Sequence, residues 1–152
     1  MSRADLPDPN EPRKRRLALL ARADRAALER VFAGAGLPDH SVLKAEETGT
    51  VMVEGRAGGA GRRFNLGEAT VTRCVVRVGE HMGVSYALGR DKRKARLAAV
   101  IDALMQDDAH RDALEISLLA PLESALRAGR DRASRKAAAT KVEFFTLVRG
   151  EG

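Results

Sequence analysis

Two segments of this sequence place cations beside backbone that could receive an anion. In the first, Gly58, Gly59 and Gly61 precede Arg62 and Arg63. Glycines let backbone N–H groups approach a phosphate closely, and the arginines would supply charge. No Lys-Ser/Thr follows the glycines, and the loop is predicted to join strands rather than open a helix, so it is neither a nucleotide P-loop nor a dinucleotide fingerprint. The plain alternative is a mobile hairpin loop. In the second segment, Gly89-Arg90-Asp91-Lys92-Arg93-Lys94-Ala95-Arg96, Asp91 is a good helix N-cap, yet the turns behind it are basic. Cations at a helix N-terminus oppose the dipole, by roughly 0.3–1 kcal/mol each when exposed. A phosphate or an acidic protein surface would relieve that conflict; a salt-screened, solvated face is the alternative. Arg56 and Arg73, on predicted strands, join Arg62, Arg63, Arg90 and Lys92 as candidates for anion binding or for an interface.

Catalytic machinery is another matter. His40, His81 and His110 are scattered near turns and helix ends, and the single cysteine, Cys74, falls mid-strand, where a buried inert thiol is expected. Glu46 and Glu47 are neighbours on a strand and point to opposite faces, so they do not form an acid/base pair. Asp107-Asp108 reads as a helix cap. No catalytic residue is assigned, and no His/Cys group has metal-ligand spacing. Charge without catalytic machinery suggests a subunit that binds and assembles.

The elements that must carry these groups follow from periodicity. Residues 1–12 are Pro- and Asp-rich and read as a loose leader. Pro12 suits the first turn of a helix, whose apolar positions run from Leu17 through Phe32 until Gly34, Gly36 and Pro38 stop it. Ser41–Glu47, Thr50–Arg56, Glu68–Val78 and Gly83–Leu88 are rich in Val and Thr and bounded by glycines, which predicts an antiparallel meander of about four strands. The loop 57–65 and the segment 79–83 are its connections. From Asp91 the period returns to helix, with Leu97, Val100, Ile101, Leu104 and Met105 on one stripe expected to face the meander. A second helical run follows, and Pro121 is read as restarting it. A polar, Ala- and Arg-rich stretch then leads to a β-prone tail, Val142–Val148. The expected fold is α+β, one domain over 13–152: N-terminal helices, central meander, C-terminal helices and that tail.

The chain has 152 residues, of which 44% are hydrophobic and 32% charged, with a formal charge of +6. This composition suits a soluble globular domain. No apolar run approaches the roughly 20 residues of a membrane span, and one cysteine excludes an internal disulfide, so a reduced cytoplasmic setting is expected. The positive excess sits in residues 1–30 and 44–100, which points to an anionic partner. Nucleic acid fits poorly, because the five aromatics are not interleaved with the basic residues as stacking platforms.

Several segments in order resemble a known family. They are Ala45-Glu46-Glu47-Thr48-Gly49 with Val51 and Val53; Arg56, Gly58-Gly59, Gly61 and Phe64; Gly67 through Arg73; Gly89-Arg90-Asp91-Lys92; Ile101 through Gln106; Ala120-Pro121-Leu122; and Val142–Gly150. Across about residues 15–150 the chain resembles the small G subunit of the bacterial carbon–phosphorus lyase core complex, which degrades phosphonates. The resemblance implies an accessory, non-catalytic subunit of a transferase assembly. With H and I subunits and an ATPase-like L partner, that assembly makes α-D-ribose 1-methylphosphonate 5-triphosphate from ATP and an alkylphosphonate. It further implies a hetero-oligomer with two copies of each core subunit, and a J subunit carrying the iron–sulfur cluster and S-adenosylmethionine. No cofactor falls to this chain. The alternative is a free-standing basic α+β module that binds nucleic acid. The residues themselves add one expectation. An apolar β-prone terminus must be covered, so the arm from about residue 127 to 152 is expected to dock Phe144, Phe145 and Val148 on a partner.

Overall fold

The computed structural model of the chain describes residues 8–57 and 61–149, with side chains through 138. Two short helices, α1 (Glu11–Arg22) and α2 (Arg25–Val31), lead into a sheet of three strands: β1 (Ser41–Arg56), β2 (Arg63–Val78) and β3 (His81–Leu88). The helices α3 (Lys92–Leu104), α4 (Asp108–Leu114) and α5 (Ala120–Arg149) complete the order, with a π-helical turn, Glu115–Leu119, joining the last two. The sheet is an antiparallel meander in the order β1-β2-β3. The expected α+β class and helices at both ends are therefore present.

The strand count differs for a local reason. The two strands expected over 41–56 are one strand of 16 residues, because Thr48 and Gly49 pair with Thr72 and Val71 and no turn forms between them. Gly49 has no positive φ, so a glycine read as punctuation is simply extended. Its partner β2 is equally long and starts at Arg63, inside the stretch expected to be loop. β3 reaches only as far as the pair Val71–Leu88. Beyond it β1 and β2 run on as a two-stranded ribbon, tipped by the glycine loop. Around that tip Gly61 N–H donates to the Ala57 carbonyl at 2.8 Å. The link from β2 to β3 is the two-residue turn Gly79-Glu80, with Gly79 at φ 59°, as tight hairpins require.

α3 is the centre of the molecule and is buried nearly all round. Two of its alanines face the sheet: Ala95 and Ala99 share a cluster with Cys74, Val76, Ala87 and Val100. Its large residues face the other way. Leu97, Ile101 and Met105 pack with Leu19, Leu20, Leu28, Leu114, Leu118 and Leu119 from the surrounding helices. The expected single stripe against the meander is thus divided. Val100 meets the strands, the larger side chains meet α1, α2 and the C-terminal helices, and Leu104 is half-buried between the two clusters.

Pro121 does not restart a helix. α4, the π turn and α5 run on continuously. Proline has no N–H for the Ser117 carbonyl four residues back, and a wide turn at that point absorbs the defect. The same continuity corrects the tail. Val142–Val148 is helical backbone within α5 rather than a strand, because an Ala-, Arg- and Lys-rich run propagates a helix once it has started. The side chains of Phe144, Phe145 and Val148 lie outside the described ones.

Candidate functional site

The six basic candidates fall in three places. Arg56 and Arg63 pair directly across the ribbon, and Arg62 stands beside them in the tip loop. Glu54 lies 3.9 Å from Arg63, and with Gly55 these residues line a shallow hollow. Gly58 and Gly59 of the same loop lie outside the described residues. Arg73 sits mid-sheet and forms an ion pair at 3.4 Å with Glu47 of β1. Arg90 and Lys92 flank the start of α3, where both are exposed. There Asp91 is the cap expected of it: its Oδ1 accepts from Lys94 N–H at 3.0 Å. Its other oxygen lies 3.4 Å from Arg25. Protein groups therefore already answer part of the charge conflict at this helix end. Burial pushes the Lys94 ammonium below its ordinary pKa, with Asp91 and Asp24 opposing. A groove of about 570 Å³ lies between α2 and the C-terminal helices, lined by Arg30, Val31, Ser117, Pro121 and Leu122 among others, but none of the six candidates borders it.

Glu46 and Glu47 do point to opposite faces. Glu47 meets Arg73, whereas Glu46 turns toward α3 and accepts both Nε and Nη2 of Arg96. This fork ties the edge strand to the central helix. Burial is the largest single influence on Glu46 and raises its pKa, but the Arg96 hydrogen bond, a backbone hydrogen bond and the Arg96 and Lys92 charges together outweigh it, and the carboxyl is held below its ordinary value. A carboxyl depressed by folding contributes stability that is present above its unfolded pKa and is lost as pH falls through the folded one. Glu46→Gln should therefore remove part of the acid sensitivity. Its urea midpoint should fall less than that of the wild type between pH 6 and pH 3, by an amount equivalent to up to about 1 kcal/mol. Parallel curves would mean the fork carries no net energy.

Cys74 is fully buried beneath this fork. Burial pushes its thiol up, and the Glu46 charge adds to the effect. A thiol held protonated is inert, as the sequence implied.

Sequence reasoning missed the buried centre of charge. Asp102 on α3 is inaccessible to solvent. One oxygen accepts Arg16 Nε at 3.1 Å; the other accepts Arg13 Nη2 at 2.8 Å and the Val84 N–H at 3.0 Å. Arg13 and Gln106 both reach the Met82 carbonyl as well. One carboxylate thus fastens α1, α3 and β3 together. The signal was available: Asp102 is the only charge between Arg96 and Asp107. A charge in so apolar a run must be paired. A second tie runs from Arg15 of α1 to Glu115 and Glu123. These are structural joints, in which Arg13 Nε alone is buried without a hydrogen-bond partner. Among the described residues no group of His, Cys, Asp or Glu is placed to hold a metal ion. No described helix is long and apolar enough to cross a membrane.

Among the described residues no reaction centre forms, and likeness to known proteins decides the family. The sequence profile of the family described as "Phosphonate metabolism protein PhnG" matches residues 11–150. The chain belongs to the PhnG family. A relative from Rhizobium meliloti (strain 1021), named alpha-D-ribose 1-methylphosphonate 5-triphosphate synthase subunit PhnG, is 45% identical over 141 residues. That match covers 91% of this chain and 90% of the relative. The resemblance seen in the short segments thus extends over nearly the whole PhnG chain.

Proposed function

We propose that this chain is the PhnG subunit of an α-D-ribose 1-methylphosphonate 5-triphosphate synthase in cytoplasmic phosphonate metabolism, and that it serves assembly rather than catalysis. The observation that carries the reading is 45% identity along nine-tenths of a protein that bears that name. The interior agrees with it, since the buried charges are spent on joining helices and strands. Its partners on this reading are the H, I and J subunits, two copies of each in the core, with an ATPase-like L subunit joining for turnover. The transfer of ribose triphosphate from ATP to the phosphonate, the iron–sulfur cluster and S-adenosylmethionine belong to those partners. The exposed Arg90 and Lys92, and the ribbon arginines, contribute charge toward a partner or a phosphate.

Co-expression of the tagged chain with the other core subunits from the same source tests this. The expected result is co-elution at fixed stoichiometry, with formation of the triphosphate product from ATP and methylphosphonate lost when this subunit is left out. Partners that assemble and turn over equally well without it would overturn the reading.

A further inference from the structure

The two faces of the sheet are finished differently. Gly83, Ser85 and Ala87 of β3 face α3, as do Cys74 and Val76 of β2: Ser85 Oγ donates to the Ala95 carbonyl at 2.6 Å, and Gly83 lies against the backbone of Ala99. Alternation then sends Tyr86 and Leu88 to the opposite face. The pairs Val51–Ala69 and Val53–Gly67 carry that same face out along the ribbon. Leu66 is an extra residue in β2 between the pairs Val53–Gly67 and Glu54–Asn65. Such a bulge re-aims a side chain, and here the Leu66 side chain lies over Gly55, where an added Cβ would be 2.8 Å from its Cδ1. Phe64 pairs with Gly55 and shares the face.

The outcome is one continuous apolar surface with no helix over it. Val51, Val53, Phe64, Leu66, Tyr86 and Leu88 are each 37–62% exposed. An uncovered apolar sheet face of this kind marks an interaction site. The ribbon segment contacts no third strand, so its apolar side chains contribute nothing to the chain's own core.

Charge narrows the occupant. The apolar face carries Arg73, Arg77 and Glu47, with Arg62 in the tip loop, whereas Arg56, Arg63 and Glu54 alternate onto the reverse of the ribbon. Arg62 and Arg77 have no acidic partner among the described residues. A second copy of the same surface would bring arginine toward arginine. Resting on the synthase-subunit reading, we propose that this face, from β3 out to the ribbon tip, is where the chain docks on another subunit of the synthase, one whose apolar surface is rimmed by acidic side chains.

The test uses Val53→Asp/Phe64→Asp, placed on the ribbon beyond the reach of β3. The companion variant is Arg62→Glu/Arg77→Glu. The control is Ile116→Asp, which alters a 75% exposed apolar side chain on the π turn, away from this surface. Each is co-expressed with the other subunits, and its melting temperature and helical circular dichroism are read alone. Both double variants should keep the wild-type fold and bind the other subunits at least about tenfold more weakly; the control should bind as wild type does. The wild-type contact should also weaken in high salt. A double variant that joins the assembly with unchanged affinity overturns the surface alone. A wild-type chain that never joins overturns the subunit reading and the surface with it. Two further outcomes also overturn the proposal: a homodimer of the isolated chain that the double variants break, or tight, salt-sensitive binding of a single-stranded oligonucleotide that Tyr86→Ala abolishes.

Discussion

Replacing Asp102 with alanine should cost about 3–5 kcal/mol, a large share of the roughly 5–15 kcal/mol that holds a domain folded. The loss does not come from the ion pair as a surplus of attraction. It comes from what is left behind. Arg16 has a side chain only 9% exposed and would keep its charge with no counter-charge beside it. The half-buried Val84 N–H, which now donates to Asp102 at 3.0 Å, would lose its acceptor, a penalty of up to about 1 kcal/mol, the low end of the range for a buried group. Arg13 contributes less, since its side chain is 38% exposed and water can take over its charge. The corresponding double change, Asp102→Leu with Arg16→Met, removes both buried charges together. It should therefore recover part of the loss, leaving mainly the amide unsatisfied. Urea unfolding at neutral pH reads both. An Asp102→Ala chain within 1 kcal/mol of wild type would show that α1 and β3 do not depend on this joint.

That joint also shows where sequence reasoning succeeds and where it stops. The elements were legible because their signals are local. Val and Thr alternation gave the strands, Asp91 and Asp107 gave the caps, and the return of a 3.6-residue period gave α3. The caps are there: Asp107 accepts the Ala109 N–H much as Asp91 accepts that of Lys94. What was not legible depends on pairing across long separations. Arg13 and Arg16 lie more than 80 residues before Asp102, and no local pattern joins them. The same holds for Glu46, whose partner Arg96 lies 50 residues on. Gly49 misled because glycine permits a turn without requiring one. The tail misled for a related reason. Phe, Val and Thr favour strands where there is a sheet to join, and residues 142–148 instead continue a helix already under way. The docking expectation was attached to that tail. The described surface that stands uncovered is the face of the sheet, whose exposed apolar residues read in sequence as ordinary strand alternation.

Gly83→Ala should destabilise the chain by about 3 kcal/mol, at or beyond the upper end of the usual cost of overpacking. The sign is the informative part. Gly83 lies in extended β3 with no positive φ, and at such a position alanine normally stabilises by about 0.4–1 kcal/mol, through the reduced freedom of the unfolded chain. Here the added Cβ would collide with the Ala99 carbonyl oxygen and stand 2.8 Å from the Ala103 amide nitrogen. Both are backbone atoms of α3, so no rotamer change relieves the contact. Nor can the strand slide away, because the next two residues, through Val84 N–H and Ser85 Oγ, are bonded to Asp102 and to the Ala95 carbonyl, and the Met82 carbonyl before it accepts from Arg13 and Gln106. Gly49→Ala is the matched comparison: also extended, also in the sheet, but with nothing within 4 Å of the new Cβ. It should melt at or slightly above the wild-type temperature while Gly83→Ala melts well below it. Equal melting of the two variants would mean that α3 does not rest directly on the β3 backbone. The close approach of helix and strand would then not be what fixes the sheet in place beneath its exposed outer face.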